Sequence, residues 1–313
     1  MDTPGHLFSA VVINDTHLRF GGRDYGAARA KLGAAIERIA SGADGPPPEV
    51  VIQLGDLVEE PRRDHFEQAA AMLAGICGAR ILHVPGNHDL GPEPDGLAAR
   101  PWTEVLGGTL NNACVHHGIM FVTLNNARAD AAEDAETEAR NTWLVELFDR
   151  YPQTPKLIAC HIPLVALRDP KAIEQSFGFL SWRSLDYRHT LRRLIERRSQ
   201  SVIAVVSAHL HLTGHVRVNG VHHLVAAGTY SWPGDHLRLD FYTDRVLARM
   251  IPLEPFIDSE DFAPYPLRNS AHDRHSRQFT DSAHDSFEKY ISGNDDERTV
   301  EIARHGEKSP KYS

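Results

Sequence analysis

Short apolar runs alternate with segments of helical periodicity over the first two thirds of the chain. The apolar runs predict buried strands at residues 7–13, 50–54, 80–84, 120–124, 157–159 and 202–206. Apolar residues at helical spacing predict helices at residues 25–39, 63–76, 133–151 and 185–198. Strands that alternate with helices in this way are typical of a layered α/β domain.

The pattern changes twice towards the C-terminus. Residues 221–226, 237–242 and 246–251 predict strands with no helix between them, so part of the sheet should be antiparallel. Beyond about residue 255 the chain becomes polar, rich in His, Asp and Ser, and loses its apolar period. We therefore predict a main domain over residues 1–254 and a polar extension over residues 255–313. We expect this extension to be partly disordered or to dock on another surface, and it is our candidate for homo-oligomer contacts.

The net charge, the hydropathy and the cysteines indicate which partners and which cellular compartment to expect. The 313 residues include 33 basic and 42 acidic side chains, a net charge of −9, whereas nucleic-acid-binding surfaces are basic. No apolar run approaches the ~20 residues that span a bilayer, and residues 1–8 lack the pattern of a signal peptide. Cys77, Cys114 and Cys160 are too few and too scattered for a disulfide framework. We expect a cytoplasmic protein without nucleic acid or membrane as a partner.

Potential metal ligands follow the predicted strands, in a chain that contains 19 histidines. Residues of this kind come directly after five of the apolar runs: Asp15, His17, Asp56, Asn87, His161, His209 and His211. The third run also delivers His88 and Asp89. Because open α/β sheets bind their ligands at the carboxyl ends of the strands, we expect these side chains to converge at one edge.

The residue types indicate a specific chemistry. Carboxylate, amide and imidazole groups suit divalent metals such as Zn, Mn, Fe or Co. The two oxygens of Asp56 can bind two cations at once, and two metals about 3.5–4 Å apart can hold a phosphoryl group and a hydroxide between them. Taken singly, each motif also fits a turn, a helix cap or a buried histidine. Their common position after five strands favours one joint site.

The order of the motifs carries a resemblance to a known family. Asp15-x-His17, Gly55-Asp56, Gly86-Asn87-His88-Asp89, His161 and His209-x-His211 resemble the calcineurin-like metallophosphoesterase superfamily. The resemblance implies a four-layer α/β/β/α sandwich of mixed sheets with a dinuclear site at one end. It also implies two ligand sets that share Asp56. The first set is Asp15, His17, His211 and Asp56, and the second is Asp56, Asn87, His161 and His209.

The same resemblance implies roles for two further residues and a substrate class. His88 would stabilise charge or protonate the leaving oxygen, and Asp89 would orient His88. The pattern resembles class III cyclic nucleotide phosphodiesterases and glycerophosphodiesterases, which implies a small-molecule phosphodiesterase that uses a metal-bound hydroxide. The alternatives are a phosphomonoesterase or protein phosphatase of the same fold, and a metal-free interaction scaffold. The chain departs from the family pattern at Ala208, where many members have Gly, and at Cys160.

Several other histidines are interpreted without a role in this site. The adjacent pairs His116–His117 and His222–His223 are typical of surface or core histidines. His272, His275 and His284 lie in the polar extension without a strand before them. We therefore do not count any of these residues as ligands.

Overall fold

Two six-stranded sheets form the centre of the computed structural model, which describes residues 5–20, 25–91, 99–127, 135–168, 189–231, 234–253 and 283–304. The first sheet contains β1 (His6–Ile13), β2 (Val50–Leu54), β3 (Arg80–Val84), β10 (Asp235–Tyr242), β11 (Arg245–Pro252) and β12 (Thr299–Ala303). Its order is β12-β11-β10-β1-β2-β3. The strands β1, β2 and β3 run parallel, and the other neighbours pair antiparallel.

The second sheet is also mixed. It contains β4 (Asn112–His116), β5 (Ile119–Leu124), β6 (Lys156–Cys160), β7 (Val202–Ser207), β8 (Gly214–Val218) and β9 (Val221–Val225). Its order is β4-β5-β6-β7-β9-β8. The four central strands run parallel, and the two edge strands pair antiparallel.

Helices cover the outer face of each sheet. The helices on the first sheet are α1 (Tyr25–Ser41), α2 (Arg63–Leu73) and α4 (Ala99–Leu106), and the short α3 (Asn87–Leu90) follows β3. The helices on the second sheet are α5 (Ala135–Arg150) and α6 (Thr190–Glu196). Because the inner faces of the two sheets pack on each other, the layers follow the order α/β/β/α. The predicted fold class is therefore confirmed.

The strands are apolar on both faces because both faces are buried. In β1, Phe8, Ala10 and Val12 point into the core between the sheets, whereas Val11 and Ile13 pack under the helices. Successive side chains of a strand point to opposite faces, so a strand between two layers needs a continuous apolar run. This run is the signal that located β1, β2 and β7 in the sequence.

The C-terminal part of the chain adds elements that the sequence pattern did not predict. Residues 283–304, called here the C-terminal segment, form α7 (Phe287–Ser292), α8 (Asp295–Arg298) and β12. The strand β12 pairs antiparallel with β11 and extends the first sheet. Residues 255–282 and 305–313 of the predicted extension lie outside the described residues, as do residues 185–188 and 133–134 of the helices predicted at 185–198 and 133–151. The domain boundary at residue 254 remains a prediction.

The edge strands β4 and β8 were also not predicted, because they are half-exposed and lack a continuous apolar run. Across the ranges that the structure describes, no helix has the length and hydropathy that crossing a bilayer requires.

Candidate metal centre

The side chains that follow five strands meet at one end of the sandwich. The structure brings six of them into two neighbouring clusters, in each of which the potential ligand atoms lie within 4.8 Å of one another. These clusters are Asp15, His17 and His211, and Asp56, His161 and His209. The five carboxylate and imidazole groups of Asp15, His17, Asp56, His161 and His211 are buried.

The carboxylate of Asp56 lies between the two clusters. Its Oδ2 is 3.3 Å from Nε2 of His161 and 3.7 Å from Nε2 of His17. Its Oδ1 accepts a hydrogen bond of 2.9 Å from the backbone amide of His88. The amide therefore fixes one oxygen, and the other faces imidazole nitrogens from both sides.

Asn87 and Asp15 complete the arrangement. The side-chain oxygen of Asn87 is 3.2 Å from Nε2 of His161. Oδ1 of Asp15 is 3.4 Å from Nε2 of His211, while Oδ2 accepts hydrogen bonds from the amide of His209 (3.1 Å) and the side chain of Asn14 (2.6 Å). The structure thus brings the seven candidate ligands of the sequence together.

Hydrogen bonds on the far side of the imidazole rings fix their tautomers. Nδ1 of His17 lies 2.8 Å from a carboxylate oxygen of Glu59, and Nδ1 of His161 lies 3.0 Å from the carbonyl oxygen of Leu54. Both partners are acceptors, so each ring donates from Nδ1 and Nε2 is the nitrogen left to bind a cation or a proton. Nδ1 of His211 contacts the hydroxyl of Ser231 at 2.9 Å.

The buried carboxylates of Asp15 and Asp56 are stabilised in their charged form by positive charge from the neighbouring imidazoles. Burial opposes ionisation of Asp56, but the neighbouring His161 holds the pKa of its carboxyl well below the usual range. Burial likewise opposes ionisation of Asp15, yet His211 and His161 lower its pKa to about 2. Burial alone would lower the pKa of His161, but the charge of Asp56 raises it to about 9.

The donor set fits metal ions. Buried carboxylates remain charged in proteins when they are paired with cations or coordinate metals. Oδ1 of Asp15 is buried and makes no hydrogen bond, which is expected of an oxygen whose partner is a cation. The Nε2 atoms of His17 and His211 are only 3.2 Å apart, and a cation between them would use both lone pairs.

The backbone at the site is held in an unfavourable conformation. Asp15, His17, Asp56, His209 and His211 all have φ between 42° and 70°. This left-handed region costs of order 1–3 kcal/mol for each such residue, and strain of this kind concentrates at functional sites. Hydrogen bonds from the amide of Asp15 to the carbonyl of Gly55 (3.1 Å) and from His17 to Asp56 (3.0 Å) fix two of these loops to each other.

Two glycines allow the loops to approach closely. A Cβ on Gly55, which has φ +85°, would lie 2.2 Å from Nδ1 of His161. A Cβ on Gly86 would lie 2.2 Å from both the amide nitrogen and Oδ1 of Asp56. Both glycines therefore let the ligands meet, which a side chain at either position would prevent.

His88 and Asp89 occupy different positions in the site. The side chain of His88 is 38% exposed, lies edge-on to His17 and has Nδ1 3.6 Å from Glu59, which places it at the mouth of the site. Asp89 is fully buried, and burial followed by the charge of Asp56 raises its pKa to about 7.

Asp89 holds loop backbone instead of the His88 ring. Its Oδ1 accepts hydrogen bonds from the amides of Leu57 (3.0 Å) and Val58 (3.1 Å), and its Oδ2 accepts one from Gly86 (2.9 Å). The contact with the His88 ring that would orient it is not found among the described residues. Asp89 thus fixes the loops after β2 and β3 relative to each other.

Two residues that the sequence did not indicate hold ligand imidazole rings in place. Glu59 and Ser231 bind the outer nitrogens of His17 and His211. Neither residue directly follows a strand or belongs to a known motif, so the sequence offered no reason to assign them to the site. Cys160, one of the departures from the family pattern, is buried with Sγ 3.5 Å from Ser207, as a small core residue would be.

The remaining histidines fall outside this centre or outside the described residues. His223 is buried in β9 and His222 is half-buried. His284 is buried, with Nε2 2.9 Å from Glu297. His272 and His275 lie outside the described residues.

Comparison with known proteins identifies the family. The family model described as calcineurin-like phosphoesterase matches residues 8–212, a span that contains both clusters. The chain belongs to the calcineurin-like phosphoesterase family. Membership in this family, together with the clustered ligands, supports phosphoester hydrolysis as the class of reaction.

Solved structures show the same fold at low sequence identity. A dimetal phosphatase from Danio rerio is 17% identical with a TM-score of 0.57, and the match covers 79% of this chain and 97% of that one. A purple acid phosphatase from yellow lupin (Lupinus luteus) is 13% identical with a TM-score of 0.60, covering 79% and 52%. GAP50, the anchor in the inner membrane complex of Plasmodium, is 8% identical with a TM-score of 0.56, covering 79% and 85%. The comparison with curated proteins gives no match.

Proposed function

We propose that this calcineurin-like phosphoesterase hydrolyses small-molecule phosphodiesters with the help of two transition-metal ions. In this proposal the two ligand sets share one carboxylate. One set is Asp15, His17, His211 and Asp56, and the other is Asp56, Asn87, His161 and His209. The supporting observation is the place of Asp56 Oδ2, which lies 3.3 Å and 3.7 Å from the inner nitrogens of His161 and His17.

When bound, the two cations would polarise the phosphoryl oxygens and lower the pKa of water at the site. Residues of the chain would orient the ligand rings and act on the leaving oxygen. Glu59 and Leu54 hold the rings of His17 and His161 in the tautomer that leaves Nε2 free to bind. His88, which lies at the mouth, would stabilise charge on the leaving oxygen or give it a proton.

A cavity adjoins the site at Glu59. Its lining is Arg19, Phe20, Glu59, Glu60, Arg62, Asp64 and His65. The rings of Phe20 and His65 lie 4.7 Å apart, and Glu59 connects the cavity with the ligand His17. Arg19 pairs with Glu59 at 3.0 Å and Arg62 with Asp64 at 3.1 Å, so the cavity offers an aromatic surface and paired charges to a substrate. The choice of a cyclic nucleotide or a glycerophosphodiester therefore comes from the resemblance of the sequence motifs.

The proposal also covers partners and compartment. The net charge of −9 argues against nucleic acid as a substrate. We propose a cytoplasmic location and self-association through residues 255–313, and both rest on the sequence alone. Within that range the C-terminal segment packs on its own chain, so size-exclusion chromatography of the full chain tests whether it also joins two copies.

Metal content and turnover of two model substrates test the function together. We expect the purified chain to contain about two metal equivalents and to hydrolyse bis(p-nitrophenyl) phosphate faster than p-nitrophenyl phosphate in the presence of Mn²⁺. Asp56→Asn should lose metal and activity together, because it removes the shared charge. Asp149→Asn makes the same chemical change on a side chain that is 65% exposed on α5, and it should change neither.

Each alternative has its own outcome in this experiment. Preference for the monoester would replace the phosphodiesterase by a phosphomonoesterase or protein phosphatase. Absence of both bound metal and Mn²⁺-dependent turnover would favour a scaffold, and unchanged turnover in Asp56→Asn would refute the shared carboxylate.

A further inference from the structure

A second cluster of metal-type ligands lies away from the candidate centre. Glu49, His116 and His117, called here the far-end triad, place their potential ligand atoms within 4.8 Å of one another. One carboxylate oxygen of Glu49 lies 2.9 Å from Nε2 of His116 and 3.2 Å from Nε2 of His117. All three side chains are accessible from solvent, since their exposed fractions are 46%, 24% and 47%.

The far-end triad is at the opposite end of the sandwich from the candidate metal centre. Glu49 directly precedes β2, whereas Asp56 follows the same strand. At about 3.3 Å per residue, the two carboxylates are separated by roughly 20 Å. An ion at the triad is therefore independent of the proposed catalytic metals.

The rings of the triad are held in place before any ion binds. His116 packs edge-on and His117 packs face-on against the buried ring of Phe8, at centroid distances of 4.9 Å and 5.2 Å. The amide of Glu49 donates to Ser9, and its carbonyl accepts from the amide of Arg80. The two rings therefore lose little conformational freedom when an ion binds, and the backbone of Glu49 is fixed beside them.

The turn that carries His117 is also unusual. His117 (φ 44°) and Gly118 (φ 77°) form the two-residue connection between β4 and β5, and both have left-handed backbone. Such a turn favours Asn-Gly or Gly-Gly. A histidine at its first position accepts a strained backbone and gains contact with Phe8 and Glu49 in return.

We propose that the far-end triad binds one divalent transition-metal ion of the Zn²⁺ class. Two imidazoles and a carboxylate are ligands that such ions prefer, and metal–ligand distances of about 2.0–2.2 Å place neighbouring ligand atoms about 3.0–3.5 Å apart. The two distances to Glu49 are close to this range. The ion would join the connection before β2 in the first sheet to the β4–β5 hairpin of the second, and water would complete its coordination.

Zinc binding by the full-length chain tests this proposal. After removal of metals with a chelator, the chain is dialysed against Zn²⁺ and its zinc content is measured. His117→Asn keeps a residue that tolerates positive φ but removes the imidazole. We expect it to bind about one zinc equivalent less than the unaltered chain, to lose part of the zinc-dependent rise in Tm, and to keep its Mn²⁺-dependent turnover.

Two further variants separate the possible results. Glu49→Gln avoids any change in the turn and should show the same loss of zinc. Asp56→Asn should lose zinc at the catalytic centre but retain the equivalent at the triad, so the two sites fail independently. Equal zinc content in the unaltered chain, His117→Asn and Glu49→Gln would show that the two histidines only donate hydrogen bonds to Glu49, and it would overturn the proposal.

Discussion

The C-terminal segment supports the loop that carries two of the proposed metal ligands. Leu210, which lies between His209 and His211, packs in one apolar cluster with Tyr290 and Ile291 of α7. The amide of Thr213, two residues after His211, donates a 2.7 Å hydrogen bond to the carbonyl of Ile291. We therefore predict that Ile291→Ala weakens metal binding without touching any ligand.

The magnitude follows from burial. Ile291 is 0% exposed, and truncating a fully buried isoleucine to alanine costs about 2–5 kcal/mol. His209 and His211 have φ of 70° and 52°, so their loop depends on outside contacts to stay in this conformation. We expect about 1.4–2.8 kcal/mol of this cost to fall on the metal-binding conformation of the loop, and since about 1.4 kcal/mol is tenfold, metal affinity should fall by about tenfold to about a hundredfold.

A matched variant in the same segment makes the test specific. Ile302→Ala removes the same atoms from β12, where Ile302 is 2% exposed and packs in the core between the sheets, away from the loop of Leu210. Urea unfolding should show a comparable loss of stability in both variants, while calorimetric titration with Mn²⁺ should show weaker binding only in Ile291→Ala. Equal affinities in the two variants would refute the supporting role of α7.

Three further predictions concern single residues. Gly86→Ala should abolish metal binding and lower Tm, because its Cβ would lie 2.2 Å from the Asp56 amide nitrogen and carboxylate; normal metal content would contradict this close approach. His88→Gln should retain its metal but lose turnover, most of all for esters with poor leaving groups, and equal loss for good and poor leaving groups would argue against proton donation. Burial, assisted by Arg192, lowers the pKa of His223 from 6.5 to about 4. Between these two pH values the unfolded state therefore binds more protons, so the free energy of unfolding falls as pH drops from 6.5 to 4, by at most about 3 kcal/mol. In urea unfolding, His223→Leu should show a weaker dependence of stability on pH in this range. An unchanged pH dependence would show that another group causes it.

The sequence predicted the strands that carry the site because their chemistry and their burial are both local signals. A strand covered on both faces must be apolar throughout, and parallel strands deliver their carboxyl ends to one edge. Asp56 and His161 could therefore be placed together although they are 105 residues apart in the chain. Their roles as ligands remain predictions until metal is measured.

The contributors that the sequence did not reveal depend on tertiary contacts. The family resemblance implied that Asp89 orients His88, but its oxygens accept hydrogen bonds from the amides of Leu57, Val58 and Gly86. The sequence of the C-terminal segment is mostly polar, and its few apolar residues are buried only because they pack on other parts of the chain. Tyr290 is 0% exposed although its neighbours in the sequence are largely polar.

The site depends on contact between the two sheets, and this explains why a distant segment can influence it. Asp56 comes from the first sheet and His161 from the second, and the pair lies 3.3 Å apart only because Gly55 has no side chain. The C-terminal segment also contacts both sheets, because β12 extends the first sheet and α7 packs on the loop after β7 of the second. Arg168, which follows the loop of His161, forms a buried ion pair with Glu297 of the C-terminal segment. A change that loosens α7 from the loop of Leu210 should therefore shift His209 and His211 relative to the ligands of the first sheet, and metal affinity should fall before the fold is lost.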